Sequence, residues 1–321
     1  MGLIMKLEIS HVSKNYGNIR ALSDVSFSVD DAQIVGIVGR NGAGKSTLLK
    51  LIMNILPCDT GNIKFFNDES SGRLRETPKR LTDKMTVGFL PEERGLYLNC
   101  TVKEQLLLFA ELNGLSKRQA ITSIEKYLER LGIPQYLNVK IRKLSKGNKQ
   151  KIQLISALIH EPALIILDEP FSGLDPVNIL LFREVVRNCK QTGRIMMFSS
   201  HRLEDVEQLC DYVIFIDKGT VYLQGCVNDI KKQFDKSEYR IQTEQPIEAL
   251  LNEQDLDYGM PEDIASGYTY MIYEKNVNKV KFLIESIACQ RLGLKHFEKV
   301  QLSLYEIFVN EFGEFVDEKE K

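Results

Sequence analysis

The stretch IVGIVGRNGAGKSTLLKLIMNIL, residues 34–56, joins an apolar run, a glycine-rich turn ending in a lysine and two hydroxyls, and a second apolar segment of helical period. Its centre, GRNGAGKST at residues 39–47, fits the phosphate-loop pattern G-x-x-x-x-G-K-[ST], and it lies where that pattern requires, after a strand and before a helix. Gly42 and Gly44 let successive backbone N–H groups turn inward around phosphates, and a helix beginning near Lys45 adds the positive end of its dipole. The Lys45 ammonium is therefore expected to neutralise the β and γ phosphates of a bound nucleotide. Gly39, Arg40, Asn41, Ala43 and Thr47 complete the loop around them, and the Ser46 hydroxyl is placed to ligate Mg²⁺.

Outward from this centre, KLEISHV (6–12) and ALSDVSFSV (21–29) alternate apolar and polar residues, whereas IVGIVG is apolar throughout. The pattern predicts two strands of a half-exposed antiparallel edge, then one buried strand. The polar, aperiodic segment 67–84 predicts a surface loop, followed by a strand at MTVGFL (85–90). Between residues 101 and 131 apolar residues recur at helical spacing (Val102, Leu106, Phe109, Leu112, then Ile124, Leu128, Leu131), which marks a helical insertion.

A helix at QKIQLISALIH (150–160) precedes ALIILDEP (163–170), an apolar strand that carries Asp168 and Glu169 out of its carboxyl end, where ligands of open α/β sheets bind. Asp168 would hold the magnesium shell. Glu169, next along the backbone and so pointing a different way, would polarise an attacking water. Helix and strand then alternate to about Phe234: a helix at 179–190, a strand at RIMMFSS (194–200), a helix at 203–210, and strands at 212–217 and 220–225. That alternation predicts a parallel sheet covered by helices over residues 1–234. Residues 235–321, with strands at 237–244, 267–275 and 295–303 and helices at 277–292 and 303–312, predict a small α+β domain.

Composition narrows the function. With 42 basic against 44 acidic residues the chain has no charge footprint for nucleic acid. Its six cysteines contain no Cys-x-x-Cys pair and read as reduced thiols. Charges interrupt the apolar residues of the first segment, unlike a secretory signal, and no run approaches the length of a membrane span. Any membrane crossing is expected from a partner.

Many nucleotide-binding proteins share a phosphate loop and an acidic strand end. The segments that separate them are LSKGNKQK at 144–151, SGLDP at 172–176, His201 after RIMMFSS, and Tyr16 in KNYG. LSKGNKQK resembles the LSGGQ signature of ATP-binding-cassette proteins, and the others follow in that family's order. The resemblance covers residues 1–225 and implies an α/β phosphate-loop cassette, with a mixed sheet and a helical subdomain over about 95–160. It implies that Ser145, Lys146, Gly147 and Asn148 form a signature meeting the γ-phosphate of ATP held by a second cassette, of the same or another chain. Asp175 then belongs to the loop crossing the dimer interface, His201 is the switch histidine, and Tyr16 stacks on adenine.

LPEERGLY (90–97) places Glu92 where most members have a glutamine, and a carboxylate there can also ligate Mg²⁺. Lys146 and Asn148 replace a glycine and a glutamine of the signature; Lys146 either strengthens the ATP sandwich or points to solvent. PEERGLY with the following TVKEQLLLFAELNGL, and a closing helix SLYEIFVNEF, resemble the subgroup that serves ABC-2 type exporters and carries an accessory domain at 236–315. The resemblance thus implies an ATPase using ATP and Mg²⁺, held on the inner face of the cell membrane by a separate transmembrane permease. Two rivals are a non-transport cassette protein, which would show tandem cassettes or a long coiled coil, and a module that holds ATP without hydrolysing it.

Overall fold

The structure, a computed structural model, describes residues 5–30, 32–69, 73–76, 87–92, 95–264 and 267–312. Strands β1 (Met5–Tyr16) and β2 (Ile19–Val29) pair antiparallel, with Leu7 opposite Val29 and Ile9 opposite Phe27. Strand β3 (Ile34–Val38) is buried at every residue, and helix α1 (Lys45–Ile52) follows the phosphate loop. Strands β4 (Thr60–Glu69) and β5 (Arg73–Glu76) complete a four-stranded antiparallel sheet of order β2-β1-β4-β5.

Two expectations are corrected here. The first two strands do not form an edge of the sheet containing β3; they belong to a separate layer whose apolar residues, Leu7 and Ile9 of β1 with Val25 and Phe27 of β2, pack in one cluster with α1 and β3. Each leucine or isoleucine buried there contributes about 1.5–3 kcal/mol. The segment 67–84 is not all loop, because its start ends β4 and Arg73–Glu76 pairs with β4. Edge pairing is satisfied by backbone groups and needs no apolar pattern, so it leaves no periodic signal. The rest of that segment, with Met85 and Thr86 of the expected next strand, lies outside the described residues.

Strand β6 (Val87–Leu90) leads to the helical insertion, α2 (Val102–Leu112), α3 (Lys117–Arg130) and α4 (Lys146–Leu158). Helix α2 starts where it does because Thr101 closes a capping box: its side chain accepts from the Glu104 N–H at 3.2 Å, and the Glu104 carboxylate accepts from the Thr101 N–H at 2.7 Å. Strand β7 (Leu164–Asp168), helix α5 (Pro176–Gln191), strand β8 (Ile195–Ser200), helix α6 (Leu203–Leu209) and strands β9 (Tyr212–Asp217) and β10 (Thr220–Cys226) follow. The second sheet has the order β10-β9-β3-β8-β7-β6 and is parallel except at β10. Strands β3, β7 and β8 are apolar nearly throughout because such strands are covered on both faces.

The chain divides into two compact units between Val227 and Asn228. The division falls at the start of the short helix α7 (Val227–Gln233), whereas the sequence pattern put it after that helix. The second unit holds β11 (Glu238–Thr243), α8 (Glu248–Glu253), β12 (Asp257–Tyr258), β13 (Glu262–Ile264), β14 (Gly267–Tyr273), α9 (Val277–Cys289), β15 (Leu294–Val300) and α10 (Leu304–Phe312). Its antiparallel sheet runs β12-β14-β11-β15, with β13 on β14, and its core joins Tyr239, Ile241 and Tyr270 to Leu251, Leu283 and Ile287. Helix α8 and strands β12 and β13 are too short for a periodicity window to detect.

Candidate nucleotide-binding site

The phosphate loop curls between β3 and α1 because Gly44 takes a φ of 108°. A Cβ there would sit 2.6 Å from the Ala21 carbonyl oxygen, so only glycine fits both the backbone conformation and the close approach. The buried Lys45 ammonium lies inside the curl and donates to the carbonyl oxygens of Gly39 at 2.7 Å and Arg40 at 3.2 Å. Beside it the Ser46 hydroxyl donates to Asp168 Oδ1 at 3.2 Å. A hydroxyl and a carboxylate are hard oxygen donors, the set that suits Mg²⁺ when substrate phosphates and water complete its shell.

Glu169 occupies a left-handed backbone conformation, φ 48°. The carboxylate is buried: Oε2 accepts from His201 Nδ1–H at 2.9 Å, while Oε1 lies 3.7 Å from Lys45 Nζ and has no hydrogen-bond partner. Burial pushes the Glu169 carboxyl above its ordinary range, against the pull of His201 and Lys45. Such a group keeps proton affinity beside a lysine ammonium and an imidazole, which is what a proton acceptor needs.

One cavity of about 590 Å³ is lined by residues 40–47 together with Tyr16, Glu92, Glu169 and His201. Its size falls in the range of roughly 300–1,000 Å³ usual for ligand sites. Gly39 and Asp168 stand behind its wall, through their bonds to Lys45 and Ser46. Glu93 and Arg94, from the same PEERG segment as Glu92, lie outside the described residues. Ser172, the first residue of SGLDP, also lines the cavity, as do Arg20 and Lys218, which escaped the sequence reading. So did Ser199, whose hydroxyl contacts both Asp168 and the Glu169 N–H.

Ser145, Lys146, Gly147, Asn148 and Asp175 are not part of this lining. Ser145 caps α4, its Oγ accepting from the Asn148 N–H at 3.3 Å, and Asp175 caps α5, accepting from the Asn178 N–H at 3.0 Å. The exposed Lys146 side chain does not line this cavity. It lies over Gly173, where a Cβ would come within 2.0 Å of its Nζ. Gly173 has a φ of 67° and no side chain, which leaves that room. Buried Gln150 of the same helix donates to the Pro170 carbonyl oxygen at 3.2 Å, tying the signature helix to the chain just beyond Glu169.

Comparison with known proteins points to one family. The family model for the ABC transporter matches residues 22–172. An uncharacterized ABC transporter ATP-binding protein of Bacillus subtilis (strain 168), YhaQ, is 37% identical over 308 residues, covering 96% of this chain and 98% of its own. The linearmycin resistance ATP-binding protein LnrL of the same strain is 34% identical over 224 residues, 70% of each chain. Among solved structures, an ATP-binding subunit of an ABC transporter superposes with a TM-score of 0.63 at 33% identity, covering 71% of this chain and 92% of the other.

Proposed function

The chain belongs to the ABC transporter family as an ATP-binding subunit, and from that premise we propose that it hydrolyses ATP to drive an exporter whose membrane-spanning part is a separate protein. The observation that carries the reading is the Glu169 carboxylate, buried between Lys45 and His201 with one oxygen facing the phosphate loop and free of hydrogen bonds. Among the described residues no helix is long and apolar enough to cross a membrane.

In this mechanism ATP enters the cavity with its base against the half-exposed Tyr16 ring and its phosphates in the loop at 39–47. Lys45 gives up the Gly39 and Arg40 carbonyls and turns its charge to the β and γ phosphates. Glu169 accepts the proton of the water that attacks the γ-phosphorus while the bond to the β–γ bridging oxygen breaks and ADP leaves, and His201 holds the second Glu169 oxygen in line. Mg²⁺, when bound, neutralises phosphate charge, and Ser46, Asp168 and Glu92 would hold it. Ser145 and Gly147 of a second cassette, with Lys146 and Asn148 beside them, close over the γ-phosphate with the N-terminal end of their helix. Asp175 lies at the same interface. Binding then favours the closed pair, and hydrolysis reopens it.

Coupling to the permease is supported by a recess of about 290 Å³ beside Glu92, lined by Phe89, Leu96 and Phe109 and by Gln153, whose buried amide has no hydrogen-bond partner. A cytoplasmic helix of the permease would fill it, which would hold this subunit on the inner face of the membrane. The outward direction is supported by the likeness of LPEERGLY to the ABC-2 exporter subgroup and by the resistance named for LnrL.

Purified protein is expected to release phosphate from ATP in a Mg²⁺-dependent way, and purification from detergent-solubilised membranes is expected to bring one polytopic membrane protein with it. ATP bound without phosphate release would instead identify a holding module. A narrower prediction concerns Tyr16: Tyr16→Ala should weaken ATP binding by roughly 5- to 150-fold, the value of one base on an aromatic ring. Binding of inorganic tripolyphosphate, which has no base, should not change; equal losses for both ligands in calorimetry would remove Tyr16 from base recognition.

A further inference from the structure

The parallel register of β7 and β8 sets Asp168 opposite Ser199. Ser199 has no solvent exposure, and its hydroxyl is used twice. It donates to Asp168 Oδ1 at 2.5 Å and accepts from the Glu169 N–H at 2.9 Å. We infer that Ser199 is a positioning residue: one buried hydroxyl that orients the metal-facing carboxylate of Asp168 and fixes the backbone that aims Glu169.

Asp168 Oδ1 has a second hydroxyl donor, Ser46 at 3.2 Å. Ser46 is also the group proposed to turn to Mg²⁺, and when it does so Asp168 loses that donor. Among the described residues Ser199 is then the hydroxyl donor that remains on this carboxylate. The neighbouring Ser200 cannot take over, since its hydroxyl is engaged with the backbone of Arg202, accepting from the N–H at 3.0 Å and donating to the carbonyl oxygen at 3.3 Å.

The second contact acts on Glu169. A residue other than glycine with φ 48° holds a sparsely populated conformation, which persists only where its surroundings specify it. The bond from its N–H to Ser199 supplies that specification and satisfies a buried donor. Removing the hydroxyl therefore loosens two groups at once, although Ser199 does not itself line the cavity.

The test uses the full purified chain with Mn²⁺ and ADP as probes. Free Mn²⁺ is followed by electron paramagnetic resonance in the presence of ADP, and ADP binding in EDTA is followed by calorimetry. In Ser199→Ala the Mn²⁺ affinity should fall by about tenfold or more, as when an outer-shell partner of a metal-ligating group is lost. Metal-free ADP binding should stay as in the wild type, and turnover should remain low at saturating metal. Ser199→Thr, which keeps the hydroxyl, should recover the metal affinity.

An unchanged Mn²⁺ affinity in Ser199→Ala overturns the inference. So does a matching loss of ADP binding in EDTA, which is what a packing defect produces, or a threonine variant as weak as the alanine one. The inference rests on the nucleotide site proposed above, and the wild type separates the two: a wild-type chain that binds neither ADP nor Mn²⁺ with ADP overturns that reading as well.

Discussion

Glu169→Gln lowers steady-state ATP turnover by roughly 10²- to 10⁴-fold, the range for loss of a positioned general base, while ATP-bound dimers accumulate. The substitution keeps the size of the side chain and an oxygen that can accept from His201 Nδ1–H, the contact now made at 2.9 Å. It removes only the capacity to take a proton. Phosphate release and size-exclusion chromatography with ATP and Mg²⁺ read the two effects, and normal turnover would exclude Glu169 from the chemistry. The wild type should show a companion effect. Because burial raises the Glu169 carboxyl above its ordinary range despite His201 and Lys45, it protonates at a higher pH than an exposed carboxylate. Turnover should therefore decline on acidification starting nearer neutrality than an exposed carboxylate would give.

Lys45→Ala should act one step earlier and weaken ATP binding by roughly 10²-fold or more, since charge-assisted bonds contribute about 1.5–3 kcal/mol each and this ammonium faces two phosphates. The fold should survive. Lys45 now bonds to two loop carbonyl oxygens, and alanine leaves them facing an open cavity where water can replace it. Circular dichroism melts should accordingly stay close to wild type while calorimetry shows the binding loss. The same variant removes the cation 3.7 Å from Glu169 Oε1, so it also raises the proton affinity of that carboxyl further. ATP affinity equal to wild type would show that the loop does not hold phosphates.

How much of this was readable from the chain depends on how local each feature is. The phosphate loop and Asp168–Glu169 were legible because a turn around phosphates and a strand ending in carboxylates are written in consecutive residues. Tyr16, Glu92 and His201 are far apart in sequence and meet only in the fold, where they line one cavity. Ser199 was not legible alone: a serine in an apolar strand gains meaning only from the register that sets it opposite Asp168. Retrospectively, a hydroxyl two residues before His201 in an otherwise apolar strand was the available signal. Lys146 was ambiguous for a related reason, because its path depends on the space over Gly173, 27 residues away by their positions in the chain. The layer formed by β1 and β2 was misassigned because alternation reveals a half-buried strand without naming its neighbour.

A nucleotide held on Lys45 of one copy is expected to be completed by Ser145 and Gly147 of another. The most direct measurement introduces cysteines at Asn41 and Ser145 of the Glu169→Gln chain, both positions being solvent-exposed in the single chain, and follows oxidative cross-linking with and without ATP. A covalent dimer formed only with ATP, and absent when either new cysteine is left out, is the predicted result. Failure of the two sites to cross-link between copies while ATP is bound would contradict it.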